Sequence, residues 1–445
     1  MTGLPALENI YTRQARIAEL ARQMPGTALR SLSHHMDMDW LREAHRRTRK
    51  DGAVGVDGQT ADQYAEKLEE NLQSLLERVK TGTYRAPPVR RVYIPKGDGS
   101  KTRPIGIPAF EDKVLQRAVA MLLEPVYEGD FYDFSYGFRP GRSAHDALET
   151  LQEGIWDMRG GVVLEVDIKS FFDTLVHREL RELLRQRVVD GVVVRLIGKW
   201  LHAGVLVGGV VEHPEAGTPQ GGVISPLLAN IYLHEVFDKW WARDVLPRMR
   251  GKAFAVRYAD DLVMVFSSGQ DAERVAAVLP KRFGRFGLTL HPEKTRLVPF
   301  KRPRDDDNGD GTGSFDFLGF THFWGRTQRG SWAPKRKTAK GRLSRALRAL
   351  NQWMSRVRHR SVREQARILG MKLQGHFNYY GIRGNSKSIN CFLFWVRLLW
   401  RKWLSRRSQR RSAMKWEKFE RLERRHPLPS ARLIPCRRQL RLAFL

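Results

Sequence analysis

Phe254-Ala255-Val256-Arg257-Tyr258-Ala259-Asp260-Asp261-Leu262-Val263-Met264-Val265-Phe266 is an apolar run with two adjacent carboxylates in its middle. Such a run suits a buried strand or a hairpin. Charge inside it is costly unless something compensates it. A second apolar run, residues 162–168, carries Asp167 near its end. A hairpin turn can set Asp260 and Asp261 beside Asp167 on a neighbouring strand. Carboxylates grouped in this way suit Mg²⁺, which prefers their oxygens and retains several waters. Two such ions roughly 3.5–4 Å apart would activate a 3′-hydroxyl and stabilise a departing pyrophosphate. An Asp-Asp pair alone is usually a surface turn; the flanking apolar runs and Asp167 argue otherwise here.

Outward from these runs, helical and extended patterns mix. Residues 1–85 are mostly helical in pattern, interrupted by a loop at 52–60. Residues 64–80, rich in Glu, Leu and Lys, predict a helix stopped by Gly82. Between residues 90 and 108, Gly97-Asp98-Gly99 sits among apolar residues and predicts a β-hairpin. A helix is expected over 111–127. Ser225-Pro226 opens another to about Trp241, with serine as N-cap and proline at the first helical position. Residues 301–313 read as a polar surface loop. Asp306, Asn308, Asp310 and Gly311 have the opening spacing of a calcium loop, but its twelfth position is Phe317, where a bidentate glutamate is needed. Calcium is therefore not expected. Beyond Trp332 the pattern is helical and basic until Pro427 and Pro429.

The charge is unevenly placed. The chain has 445 residues and a formal net charge of +30. Residues 321–445 hold 33 Lys+Arg against 4 Asp+Glu, a net of +29; the remainder holds 45 against 44, a net of +1. The first part has the balance of an ordinary enzyme and the last part that of a polyanion-binding module. Two cysteines, Cys391 and Cys436, supply neither a zinc site nor a disulfide framework and fit a reducing compartment. No signal peptide and no 18-residue apolar stretch is visible; residues 391–404, with Arg397, Arg401 and Lys402, read as an amphipathic or buried helix.

Ordered blocks then carry a resemblance. They are Val54-Gly55-Val56-Asp57-Gly58, Tyr93-Ile94-Pro95-Lys96, Arg103-Pro104-Ile105-Gly106-Ile107-Pro108 and Tyr136-Gly137-Phe138-Arg139-Pro140-Gly141-Arg142-Ser143. Next come Asp167-Ile168-Lys169-Ser170-Phe171-Phe172-Asp173, Gly217-Thr218-Pro219-Gln220-Gly221-Gly222, Tyr258-Ala259-Asp260-Asp261, Gly287-Leu288-Thr289-Leu290-His291 and Phe317-Leu318-Gly319-Phe320. Further on are Gly375-His376-Phe377-Asn378-Tyr379-Tyr380-Gly381, Trp403-Leu404 before Arg406-Arg407, and Pro427-Leu428-Pro429. Over roughly residues 35–435 the chain resembles the reverse transcriptase and maturase proteins of bacterial group II introns. Any one block is weak; their order makes the resemblance specific.

The resemblance implies an α+β right-hand polymerase. Fingers are expected at 1–160, a palm of antiparallel sheet and helices at 161–325, and a helical basic thumb or domain X at 326–445. It implies RNA-directed DNA synthesis with two Mg²⁺ ions held by Asp167 and Asp260, with Asp261 weaker or structural. Lys96 and Arg103 would grip the incoming triphosphate, as point-charge lysine and bidentate arginine suit phosphate. Gln220 would position nucleotide and template, Phe172 would exclude a ribose 2′-hydroxyl, and Lys294 would stand near the triphosphate. Arg139 and Arg142 would touch the template backbone, and Arg406, Arg407, Arg410 and Arg411 the intron RNA. The implied partners are intron RNA, an RNA template with DNA primer, dNTPs and target DNA, within a bacterial cytoplasmic ribonucleoprotein away from membranes. No Cys pair of the family's endonuclease segment follows the maturase block, so endonuclease activity is not expected. Two other readings stay open: an RNA-binding maturase with little polymerase activity, and a related reverse transcriptase recruited for defence or repair.

Overall fold

In the computed structural model both aspartate-bearing runs are extended. The structure describes residues 4–96, 101–207, 210–212, 217, 221–306, 311–407 and 414–434. Its strands are β1 (Val89–Lys96), β2 (Lys101–Ile107), β3 (Val162–Val166), β4 (Val205–Val207), β5 (Val210–Glu212), β6 (Ala253–Tyr258), β7 (Asp261–Phe266), β8 (Arg296–Pro299), β9 (Phe315–Phe317), β10 (Phe320–Arg326) and β11 (Trp332–Thr338). They form sheets in the orders β2-β1-β4-β5, β6-β7-β3-β8 and β11-β10-β9, among helices that run from Leu4–Gln23 to Trp416–Arg425. The fold is α+β, as the sequence implied.

Contacts divide the chain into two interleaved units: residues 1–143, 164–264 and 270–296, and residues 144–163, 265–269 and 297–445. In the first, helix Phe110–Glu128 is buried almost all round and carries thirteen buried residues. The indole of Trp40 donates to the Ala118 carbonyl at 2.9 Å. Asp112 lies inside this packing and accepts from the Tyr84 hydroxyl, which in turn accepts from the Trp200 indole at 3.1 Å. Burial pushes the Asp112 carboxyl up to about 8, against the hydrogen bond from the Trp200 side. The helix expected over 64–80 is two helices, Ala61–Ala65 and Leu68–Lys80; a Thr60/Gln63 capping box starts the shorter one. The expected hairpin is β1–β2, with Ile94 opposite Arg103 and Lys96 opposite Lys101.

The second unit corrects one expectation. The chain beyond Trp332 is not yet helical: β11 pairs antiparallel with β10 along its whole length, and helix begins at Lys340–Val357. Buried and half-exposed residues alternate along β11, but the buried positions include Arg336 and Thr338, which conceals the period of two. Arg336 donates to the Leu148 carbonyl at 3.0 Å. Helices Lys340–Val357, Val362–Tyr380 and Ser386–Ser405 then share a core of Leu350, Met354, Leu369, Leu373, Phe392 and Trp400. Trp400 is fully buried and donates to Gln365, whereas Trp395 and Trp416 are exposed. Among the described residues no helix is long and apolar enough to cross a membrane.

Candidate active site

β6 and β7 are joined by Ala259 and Asp260 alone, so the tip of the hairpin carries the acidic pair. Ala259 has φ +56°, a conformation the first central residue of a tight hairpin turn can require and one usually left to glycine. β3 is the next strand after β7. A Cβ on Gly161, just before β3, would lie 2.0 Å from the carbonyl oxygen of Phe266, the last residue of β7. The start of β3 therefore meets the end of β7, and the two neighbours run antiparallel. Asp167, one residue past β3, thus shares an end of the sheet with Asp260 and Asp261. On the other side of β3, the Asp167 carbonyl accepts from the His291 amide at 2.8 Å.

The turn is held from beneath by residues that sequence reasoning missed. Arg257 is 1% exposed and donates to both oxygens of the buried Asp238, at 2.8 and 2.5 Å. A third donor, Nη1, reaches Asn230 Oδ1 at 3.0 Å and the Ala259 carbonyl at 3.1 Å. Asn230 in turn donates to the Gly137 carbonyl at 2.6 Å. Gly137 presses against the turn; a Cβ there would meet the Ala259 nitrogen at 2.3 Å. Burial raises the Asp238 carboxyl, but the Arg257 charge overcomes this and holds it below the usual carboxylate range. Helix Ser225–Leu233 supplies Asn230, and a π-helical turn, His234–Asp238, turns Asp238 inward. The available signal was a pair of polar residues, Asn230 and Asp238, within a largely apolar helical stretch.

Asp167 Oδ2 lies 2.8 Å from Lys294 Nζ, with both side chains partly exposed. Among the described residues, no three or more His, Cys, Asp or Glu side chains converge to hold a metal ion. The donor set at this end of the sheet is nonetheless all carboxylate, the chemistry that fits Mg²⁺. A protein ammonium occupies one of its oxygens.

A family model described as reverse transcriptase (RNA-dependent DNA polymerase) matches residues 94–322, which include all three aspartates. The chain belongs to the reverse transcriptase family. It is 38% identical over 325 residues to Protein YkfC of Escherichia coli, covering 65% of this chain and 84% of that protein. It is 45% identical over 186 residues to the group II intron-encoded protein LtrA of Lactococcus lactis, covering 42% of this chain and 30% of that one. A nuclear intron maturase of Arabidopsis thaliana is 26% identical over 231 residues, covering 43% of this chain and 30% of that protein. This member of the reverse transcriptase family is thus similar to a group II intron-encoded protein and to an intron maturase, over about 30% of the length of each.

The remaining expected site residues lie on several elements. Phe171 is buried and Phe172 half-buried, their rings 5.3 Å apart; Arg103 is exposed on β2, and Lys96 ends β1 across the hairpin. Gly221 lies against the Gly106 carbonyl of β2, while Gln220 lies outside the described residues, as do Arg410 and Arg411. Arg139 is a correction. Its side chain is 3% exposed, its guanidinium is engaged by Glu128 and the Tyr132 and Ser135 carbonyls, and it cannot face a template. Arg142 is held by Asp133 at 2.6 Å over the Tyr136 ring. Just before them in sequence, Phe138 is 56% exposed with φ +56°, its ring 6.4 Å from that of Tyr258. Arg406 is exposed beside the Trp403 ring; Arg407 donates to the Arg360 carbonyl at 3.0 Å. Asn308 and Asp310 of the calcium-like spacing also lie outside the described residues.

Proposed function

We propose that this chain is an active RNA-directed DNA polymerase of the group II intron type, which adds dNTPs to a DNA primer on an RNA template. The observation that carries the reading is the shared sheet end of Asp167, Asp260 and Asp261, buttressed by the Arg257–Asp238–Asn230 network. A maturase that had lost polymerase chemistry would have no need of this support. Asp167 and Asp260 would hold Mg²⁺, with Asp261 secondary. Bound there, the ions supply Lewis-acid activation of the primer hydroxyl and charge relief at the departing pyrophosphate. Lys294 would leave Asp167 for the triphosphate, joining Lys96 and Arg103. Phe172, half-buried beside a buried Phe171, is the side chain available to the sugar.

In this reading residues 1–160 act as fingers, 161–325 as palm and 326–445 as an RNA-binding thumb of right-hand type. The net +29 of residues 321–445 favours intron RNA as the partner, so that the chain would also assist splicing and target-DNA insertion. The test is extension of oligo(dT) on poly(rA) with Mg²⁺. Incorporation of dTTP supports the reading. RNA binding without incorporation would favour the maturase alternative.

A further inference from the structure

Helices His177–Arg185 and Gly191–Leu201 carry none of the three aspartates, yet they enclose a basic groove of about 540 Å³. Arg181 and Arg185 line it from the first helix, and Arg195 and Lys199 from the second, with His202 just past its end. Within each helix the cations are four residues apart and therefore neighbours, an arrangement that repels itself; the Lys199 ammonium is held by the Gly82 carbonyl at 2.8 Å and by that of Tyr84, which leaves the arginines to face the groove. Glu182 and Asp190 do not relieve the repulsion. Glu182 pairs with Arg178 at 3.1 Å, and Asp190 accepts the backbone amides of Leu32, Ser33, Val192 and Val193. Among the described residues, the buried Nε of Arg181 has no hydrogen-bond partner. Unlike residues 321–445, residues 1–320 are balanced to a net of +1, so this concentration is local.

We propose that the groove is a second RNA-binding site, which takes the phosphates of a double-stranded RNA segment; the proposal rests on the RNA-copying reading above. Among the described residues its lining has cations, apolar Val189 and Val194, and no Phe, Tyr or Trp; its one ring, His202, is set edge-on against His177 with Nδ1 2.8 Å from the Gly198 carbonyl, and so is not a free stacking platform. Single-strand sites combine charge with stacking platforms, whereas duplex RNA is held through backbone and shape. Arg185 and Arg195 are exposed and would make the outer contacts, with Arg181 beneath them.

The test measures affinity for a blunt RNA duplex of about 20 base pairs across a KCl series. Arg185→Gln with Arg195→Gln should flatten the log–log salt slope by about two units, from roughly 0.9 per phosphate contact with a duplex. The charge-matched control is Arg22→Gln with Arg49→Gln, two exposed arginines outside the groove paired with Glu19 and Asp51. It should leave the slope unchanged, and both variants should extend pre-annealed oligo(dT) on poly(rA) at saturating concentration like the parent. An unchanged slope in the groove variant, an equal loss in the control, or loss of extension in the groove variant would overturn the proposal. A parent protein that extends primers but does not bind duplex RNA would overturn it while sparing the polymerase reading. A parent that does neither would defeat that reading itself.

Discussion

Lys294 and Asp167 meet at 2.8 Å, and a divalent cation arriving at Asp167 must compete with that ammonium. If the pair is the resting state of the proposed site, Lys294→Gln removes the competitor. The Mg²⁺ concentration for half-maximal extension should fall by up to about fivefold, the equivalent of roughly 1 kcal/mol for an exposed pair. The KM for dNTP should rise as a triphosphate contact is lost. Unchanged values of both would show that the pair has no part in the reaction. The two phenylalanines divide differently. Phe171→Ala should cost about 3–5 kcal/mol of stability, as for a buried aromatic ring, whereas Phe172→Ala should fold and admit rCTP much better relative to dCTP. Equal discrimination by Phe172→Ala and the parent would assign the gate elsewhere. The shared placement of three aspartates was legible in the sequence, because carboxylates in apolar runs stand out. The burial of Arg139 was not legible, because a Phe-Arg-Pro-Gly-Arg stretch does not reveal that Glu128 and two carbonyls enclose that guanidinium.

At the scale of elements, the β6–β7 turn depends on what lies under it. Asp238→Asn leaves the Arg257 charge buried without its partner and should destabilise the protein by about 3–5 kcal/mol. Asn230→Ala is milder: it frees the Gly137 carbonyl and one guanidinium contact while keeping the ion pair. It should lower kcat for extension with little change in RNA affinity; wild-type kcat would show that the turn needs no such support. Helix Phe110–Glu128 gives a pH dependence. Folded Asp112 keeps its proton to about 8, against an ordinary 3.8. Between those values the unfolded chain binds fewer protons, so this contribution is full below about pH 4 and is lost as pH rises through about 8. Asp112→Asn should flatten the fall in stability with pH across that window, as read by denaturant unfolding; an unaltered profile would place the effect elsewhere. Apolar runs made β3, β6 and β7 readable, whereas β11 was concealed by a buried arginine and threonine whose partners lie far away in sequence.

At the scale of the whole chain, charge separates two proposed tasks. The excess of residues 321–445 over the remainder is +29 less +1, or 28 charges. Not all of those cations are available to RNA: Arg336 is buried and Arg407 holds a backbone carbonyl, while Arg406 is exposed. Replacing Arg406, Arg407, Arg410 and Arg411 with Gln should weaken intron-RNA binding and flatten its salt slope by about 0.7 for each lost single-strand phosphate contact. An unaltered slope would move the anchoring surface to other side chains. On the proposal above, chemistry resides at the shared sheet end and not in RNA affinity, and a single comparison separates the two. Asp260→Asn and the parent are measured side by side for oligo(dT) extension on poly(rA) with Mg²⁺ and for RNA binding. The expected result is loss of nearly all extension with RNA affinity almost intact. Extension above about a tenth of the parent rate, far more than removal of a metal ligand allows, would contradict it.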